Sequence, residues 1–409
     1  MTQRHILVAN VFFAPFSYGG ATVVAEQVAR ALMRQGGYRV TAVSLCGRSD
    51  LAAYSIIKTQ KNGIENYLIN VPDRRNYGAM YNNPEITGRI AELIDALQPD
   101  LVHAHCIQEI GTGIIAAAEE AGVPVILSVH DFWWLCERQF MVRLDETYCG
   151  QFPVVVDQCK GCADNFWAAK MRFTHLQDMS EKVAMVTYPS QFAKDLSEGS
   201  GFAVGRGIVW ENGVRHPDGR FFDLQAQRRA RDDRTRFGFV GGPSALKGWP
   251  QIRKAFCDIE HDDFAGLVVE GSLDGSWWTP SALKGLRGSW DVHPGFTQET
   301  MDEYYAQIDV LLFMSQWKET FGLSIREAIA RGISVIQTDS GGTTEYGSVD
   351  MNRLIPIGAP ADVLRLQVEH ELRKRPRGQP PVAVTGFDDQ AQAFSKLVDQ
   401  VLDDPGKTN

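Results

Sequence analysis

Short, almost wholly apolar runs alternate along the chain with longer stretches in which apolar residues recur every three or four positions. The runs fall at 6–9, 40–45, 101–104, 125–129, 184–188, 237–240, 266–269, 310–313 and 334–338. The periodic stretches fall at 21–35, 84–97, 113–121, 249–260 and 321–331. A strand apolar at consecutive positions has both faces covered, and strand–helix alternation supplies that cover to a parallel sheet. The pattern therefore predicts an α/β chain with doubly wound parallel sheets. The alternation pauses between about 199 and 236. Within that pause, Arg220, Arg228, Arg229, Arg231, Asp232, Asp233, Arg234 and Arg236 make a charge-dense stretch that reads as a solvated helix or linker. A second strand–loop–helix series starts at Phe237. Two Rossmann-like domains are expected, at 1–205 and 206–385, followed by a helical segment at 386–409 that can pack back on the first. The proline-rich stretch 376–381 is expected as a loop.

Length and composition narrow the function classes. A chain of 409 residues suggests two or three domains, and 44% apolar with 22% charged residues is an ordinary globular balance. The net charge of −9 argues against a broad nucleic-acid surface, which needs clustered Lys and Arg. A local anion site built from backbone amides and one Lys remains compatible with it. No apolar run reaches the length of a membrane span, so membrane contact is at most peripheral. The first apolar run is broken by Asn10, Pro15 and Ser17 with no cleavage site, which reads as a buried strand and not a signal peptide. Seven cysteines, an odd number in a large chain, fit a reducing cytosol. The expected location is cytoplasmic, with the inner membrane face as a possible peripheral site.

Several loops that follow apolar runs carry chemistry. Ser315 to Ala328 follows one such run and opens a helix, the place where open α/β sheets bind ligands and where helix N–H groups hold phosphates. Gly322 lets backbone approach a ligand. Glu327, just over one turn into that helix, can accept two hydroxyls, as from a ribose. Glu319, in the loop, can reach a different polyol. The plain alternative is two solvated glutamates flanking a helix. Lys247, in the loop Val240, Gly241, Gly242 to Gly248, is placed to neutralise a diphosphate, or is a surface lysine. Gly19 and Gly20 form a tight turn after the first strand, facing an anion or the acceptor, or merely packing. No Gly-x-Gly-x-x-Gly occurs there, which disfavours a nicotinamide enzyme. His130 ends a buried run; such a lone histidine is either structural or ligand-facing. His103 and His105 also end a run and read as structural or acceptor-side. Trp133 and Trp134 suit either sugar stacking or the core.

Cys136, Cys149, Cys159 and Cys162 cluster within 27 residues, in an insert at about 136–165 with little core-forming pattern. The Cys159–Cys162 pair has the C-x-x-C spacing of a zinc knuckle, but the other intervals match no standard finger. A structural zinc, reduced thiols and disulfides all remain open. No cofactor is expected for catalysis.

At the segment from Glu319 to Glu327 the chain resembles the retaining family-4 glycosyltransferases, which have the GT-B fold. The likeness rests on two glutamates separated by seven residues with Phe321, Gly322 and Leu323 between them, and on the downstream loop Thr338 to Glu345. It extends to the early Gly19–Gly20 turn, His130 with Asp131, Pro189 with Ser190, Asn212 to Val214, and the Lys247–Gly248 loop. The resemblance implies two Rossmann-like parallel-sheet domains facing across a cleft. It implies that Glu327 binds the nucleotide ribose, that Glu319 and His130 face the donor sugar, and that the amides of Phe321, Gly322 and Leu323 approach the sugar and diphosphate. Gly241, Gly242, Gly19 and Gly20 are then donor-side, and Lys247 stabilises the leaving phosphate. Where the family often has an arginine after the first glycine of the lysine loop, this chain has Gly242, and Arg215 is one candidate replacement. The implied reaction moves a sugar from a nucleotide-diphosphate-sugar donor to a glycan, lipid-linked or small-molecule hydroxyl acceptor, in polysaccharide, lipopolysaccharide or other glycan biosynthesis. A nucleotide-sugar epimerase of the same fold and a non-catalytic sugar-nucleotide-binding protein are the rivals.

Overall fold

The computed structural model describes residues 3–272, 275–347, 349–375 and 377–403. Pro376, in the proline-rich stretch expected as a loop, lies outside them. The chain forms two compact units: Met1–Met141 with Gly150–Gly213 and Thr385–Asn409, and Val214–Val384 with the short segment Val142–Cys149.

The first unit is built on an eight-stranded sheet: β1 (Arg4–Ala9), β2 (Tyr38–Cys46), β3 (Ile56–Lys61), β4 (Ile64–Asn70), β5 (Leu101–Ala104), β6 (Val125–Ser128), β7 (Met185–Tyr188) and β8 (Gly207–Val209). Its order is β3-β4-β2-β1-β5-β6-β7-β8, parallel throughout except for the β3–β4 hairpin. The apolar runs occupy the buried centre, where β5 and β6 have no exposed position. The hairpin was not expected from the pattern. Its outer strand, Ile56–Lys61, has two apolar residues followed by four polar ones and no fully buried position, as an edge strand can, and Asn62 and Gly63 turn it through left-handed backbone. The helix Gly20–Gln35 buries Val24, Ala25, Val28, Ala29, Ala31 and Leu32, a single stripe at helical spacing. The helix Phe387–Leu402 packs against it with Phe387, Ala391, Phe394, Val398 and Val401. The Trp210 indole donates to the Gln390 carbonyl at 3.0 Å, and Gln390 Oε1 accepts from Gly213 N at 2.7 Å. The first unit thus runs on past 205, because β8 pairs with β7.

The second unit is a five-stranded parallel sheet: β9 (Thr235–Phe239), β10 (Phe264–Val269), β11 (Ser289–His293), β12 (Val310–Phe313) and β13 (Ser334–Gln337), in the order β11-β10-β9-β12-β13. One face packs Phe237, Val310 and Leu312 on Trp249, Ile252 and Phe256; the other packs Leu267 and Leu311 on Tyr304, Tyr305, Ile325 and Ile329. Strand order runs outward from β9 to β11, then reverses to β12. That reversal puts a switch point between β9 and β12, where the loops beyond the strand ends diverge and leave a crevice for ligands. In the first unit β1 and β5 flank the equivalent point.

The charge-dense stretch is a helix, one of the two expected forms, but it is not solvated on every face. It forms the helix Gly219–Arg231, which buries Phe221, Gln225 and Arg228. Arg228 grips Asp309 through two bonds of 3.0 and 2.8 Å, and Arg229 adds two more of 3.0 and 2.8 Å to the same fully buried carboxylate. A buried carboxylate needs such partners, so the arginines face inward. Among the described residues no helix is long and apolar enough to cross a membrane.

Candidate functional site

The loops after β9 and β12 bring Lys247 and Glu319 together. Lys247 Nζ lies 2.8 Å from Glu319 Oε1, which also accepts from Ser315 Oγ at 2.6 Å. The ammonium sits 5.9 and 5.8 Å from the ring centres of Phe313 and Trp317. Gly248, at φ 74°, begins the helix that follows Lys247; a Cβ there would stand 2.1 Å from the Met314 carbonyl oxygen. Only glycine lets the two loops come this close. Glu319 is clamped on its backbone: its N–H donates to Ser340 O at 2.9 Å, and its carbonyl accepts from Gly342 N at 3.0 Å.

Gly322, at φ 81°, starts the helix Leu323–Ala330 and brings no side-chain cap. First-turn N–H groups of a helix have no partner within the helix, so this start offers amide donors to an anion. Glu327 is buried one turn on, with its Oε2 accepting from the Tyr305 hydroxyl at 2.7 Å. Burial pushes its carboxyl above the usual range, against the pull of the Tyr305 hydroxyl, Arg331 and Gln298. Glu327 is therefore no solvated flanking residue. Phe321 is buried, and its ring faces the Arg326 guanidinium at 4.2 Å.

The position of the family arginine has a physical explanation in this chain. A Cβ at Gly242 would press on the Trp277 indole at 3.3 Å, so Trp277 packs beside the space a side chain would need. Arg215 is engaged elsewhere, donating to the Gln298 carbonyl at 2.7 Å on the Glu327 side of the unit. Gly241 lies against the Lys247 side chain, with a Cβ 3.5 Å from its Cγ.

In the first unit the exposed loop after β1 carries Gly19, at φ 82°, directly before the helix that Gly20 begins without a side-chain cap. His130, past the end of β6, heads a line of three imidazoles. His130 Nε2 lies 2.9 Å from His105 Nδ1, and His105 Nε2 lies 3.2 Å from His103 Nδ1. His103 Nε2 then meets Ser128 Oγ at 2.8 Å. Burial pushes His130 down to about 4 and lowers His103 and His105 as well, so the line is neutral at pH 7. The sequence showed three histidines at strand ends but not that they touch. Trp134 is core, packed 4.9 Å from Phe202, and Trp133 is also buried.

The four-cysteine metal site is not assembled. Among the described residues no group of three or more His, Cys, Asp or Glu is placed to hold a metal ion. The insert divides: Val142 pairs with Tyr148 in a hairpin that groups with the second unit and carries Cys149. Cys136, Cys159 and Cys162 remain in the first unit around a small, largely apolar hollow shared with Val156, Ala169 and Phe173.

Arg326 went unnoticed as a functional residue because a lone arginine inside a helix motif carries no signal. It is fully buried and donates to four backbone carbonyls: Phe321 at 2.6 Å, Thr343 at 2.8 Å, Gly342 at 3.0 Å and Glu345 at 3.1 Å. It thereby ties the helix start to the glycine loop that clamps Glu319.

Residues 18–216 match the family model described as Glycosyltransferase Family 4, and residues 221–355 match Glycosyl transferases group 1. The chain is 22% identical over 373 residues to an uncharacterised 42.6 kDa protein in the cps region of Klebsiella pneumoniae, covering 86% of this chain and 88% of that one. Among solved structures, the sucrose-phosphate synthase of Thermosynechococcus elongatus is similar at a TM-score of 0.71 and 15% identity, over 98% of this chain and 100% of that one. A glycosyltransferase from Rickettsia africae matches at 0.66 and 15%, over 99% and 100%. HepE of Anabaena, in complex with UDP and glucose, matches at 0.62 and 14%, over 99% of both chains. At these identities the structural likeness is one of fold.

Proposed function

Since the chain belongs to the family-4 glycosyltransferases of GT-B fold, we propose that it transfers a sugar from a nucleotide-diphosphate-sugar donor to a hydroxyl acceptor with retention at the anomeric carbon. The observation that carries this reading is the meeting of Glu319, Lys247 and an uncapped helix start at the switch point of the second unit, with Glu327 buried one turn further on. In it, the Glu327 carboxylate receives the ribose hydroxyls and Glu319 receives hydroxyls of the donor sugar. Lys247, 2.8 Å from Glu319, faces the junction between sugar and diphosphate. As the glycosidic bond breaks, positive charge builds on the sugar ring and negative charge on the departing diphosphate. The ammonium and the amides about Gly322 then stabilise the phosphate, and Glu319 lies next to the ring. No step is assigned to a divalent metal. The acceptor hydroxyl enters on the face the diphosphate leaves, and that phosphate takes its proton. His130, neutral in its buried line, is assigned a hydrogen bond to the donor sugar.

UDP-sugars are the first donors to test, because the Anabaena neighbour is described in complexes with UDP and with UDP-glucose. Glycan assembly in the cytoplasm, with at most peripheral contact at the inner membrane face, is the setting we assign. Calorimetry and initial-rate assays on Glu327→Ala and Glu319→Ala test the roles. Loss of a hydrogen bond to a charged group, about 1.5–3 kcal/mol, predicts roughly 10- to 100-fold weaker donor binding in Glu327→Ala. Glu319→Ala should bind donor within about threefold of the parent and lose turnover by a similar 10- to 100-fold. Near-parental turnover in both variants sinks the assignment, and an isomerised sugar nucleotide from donor alone points to the epimerase instead.

A further inference from the structure

One side of the Glu327 carboxylate is already taken. Tyr305 ends the short helix Met301–Tyr305 and is fully buried, and its hydroxyl donates to Glu327 Oε2 at 2.7 Å. The ring is held in place: Tyr304 packs on it edge to face at 5.3 Å, and the Arg331 guanidinium lies 5.1 Å from its centre. Arg331 is buried too and ties the two helices together, donating to Asp302 Oδ1 at 2.6 Å and to the Glu327 carbonyl at 2.9 Å. The phenol and the carboxylate therefore meet on a fixed frame.

The two carboxylate oxygens differ. Oε2 carries the Tyr305 bond. Apart from Tyr305, only the Gln298 side chain approaches the carboxylate with a donor among the described residues, and Oε1 is not one of the sealed polar atoms. Oε1 is thus the oxygen that a ligand hydroxyl can reach. A hydroxyl has one proton to give. While Glu327 is ionised, the Tyr305 proton goes to Oε2, and a bond to a charged acceptor is about twice as strong as a neutral one. Once Glu327 takes up a proton on Oε2, it becomes the donor to the phenol oxygen, and the phenol proton turns to the Ser324 carbonyl at 3.4 Å. Oε1 is then a neutral carbonyl oxygen and a weaker acceptor. Burial favours that neutral form; the Tyr305 hydroxyl, Arg331 and Gln298 oppose it. Arg331 has the Asp302 carboxylate against it, and Gln298, whose backbone carbonyl is held by Arg215 at 2.7 Å, is uncharged.

We propose that Tyr305 is a positioning residue: its hydroxyl ties down Oε2 of the Glu327 carboxylate and leaves Oε1 to accept from a ligand's hydroxyls. That these belong to the ribose of the donor rests on the transferase reading; the coupling of Tyr305 to Glu327 does not. Without the phenol, burial prevails and the carboxyl keeps its proton to higher pH, so donor binding is lost earlier as pH falls.

Titration calorimetry with UDP-glucose on the full chain tests this at pH 6 and 8.5, in the parent, Tyr305→Phe and Glu327→Gln. The diphosphate of UDP-glucose keeps its charge over that range, so the pH acts through the protein. Tyr305→Phe should bind roughly tenfold or more weakly than the parent at pH 6 and within about threefold of it at pH 8.5, with Glu327→Gln weak at both. A tyrosine that only fills space would cost the same factor at both pH values. That result overturns the proposal, as does parental binding of Tyr305→Phe at pH 6. A double-mutant cycle of Tyr305→Phe and Glu327→Gln on urea midpoints needs no ligand, and it decides the matter should no variant bind UDP-glucose. Coupling at pH 8.5 that shrinks at pH 5 is expected; independent effects at pH 8.5 overturn the proposal whatever the donor. If the coupling holds while Glu327→Gln binds UDP-glucose like the parent, the pair stands and the ribose role of Glu327 falls.

Discussion

Arg326→Met removes a buried guanidinium while keeping most of the side chain's length. In the parent, four carbonyls from two separate loops share that one charge, at 2.6–3.1 Å. A hydrogen bond to a charged group contributes about 1.5–3 kcal/mol, so a naive sum over four bonds gives roughly 6–12 kcal/mol. That sum is too large, because the bonds share one charge and some orphaned carbonyls will find water. A buried carbonyl left without a donor costs about 1–3 kcal/mol, so with two of the four staying dry the loss should be about 2–6 kcal/mol. Set against a typical domain stability of about 5–15 kcal/mol, the second unit would survive but its helix-start and glycine loops would open often. Hydrogen exchange followed by mass spectrometry on peptides across 319–346 measures this directly. Faster exchange is expected there, with little change in the first unit and weaker donor binding in parallel. Arg326→Lys should fall between, since one ammonium cannot reach four carbonyls in a fork geometry. Exchange in 319–346 indistinguishable from the parent refutes the idea that Arg326 holds the two loops together.

Three other outcomes follow from the same geometry. Gly248→Ala should lower the melting temperature more than Gly322→Ala. Both glycines have left-handed backbone, worth about 1–2 kcal/mol for a residue with a Cβ, but only at Gly248 does that Cβ meet a carbonyl oxygen, at 2.1 Å against 3.0 Å to a methyl group at Gly322. Equal melting temperatures would contradict this. For the imidazole line, burial holds His130 at about 4 while the unfolded chain protonates near 6.5. The unfolded state therefore takes up the proton first as pH falls: stability from the neutral ring is full above about 6.5 and is lost on the way down to 4, up to about 3 kcal/mol for His130 alone. Urea midpoints of the first unit at pH 7 and 5 check it, and a midpoint that does not fall counts against it. Gly242→Arg, which restores the family cation, should give no gain in donor affinity while Trp277 stays in place; a clear gain in a binding titration would show that the indole yields easily.

The α/β architecture and the strand-end motifs were legible because they depend on local pattern. Apolar runs such as 101–104 and 310–313 can bury both faces only in a covered sheet, and Glu319, Gly322 and Glu327 announce themselves by spacing. What stayed hidden depends on partners far away in sequence. Arg228 and Arg229 look like any solvated charged face until Asp309, some 80 residues on, is found beneath them. Arg326 has four partners that are backbone carbonyls, which no side-chain pattern can reveal. The β3–β4 hairpin escaped notice because its edge strand is mostly polar. The cysteine spacing pointed to a metal because C-x-x-C is a local signal. Only the fold shows that the hairpin at Val142–Cys149 groups with the other unit.

The helix Phe387–Leu402 has a consequence for synthesis. Phe394 stacks on His103 with ring centres 4.1 Å apart, and Gln390 serves Trp210 and Gly213, so the first unit lacks a wall until that late segment has emerged. The stretch Val214–Val384, nearly all of the second unit, leaves the ribosome earlier. Domains commonly fold in the order in which they are made; in this chain the unit begun first is the one completed last. Until then the apolar surface that this helix covers must wait exposed, although all eight strands have been made, and that is the stage at which a chaperone has most to protect.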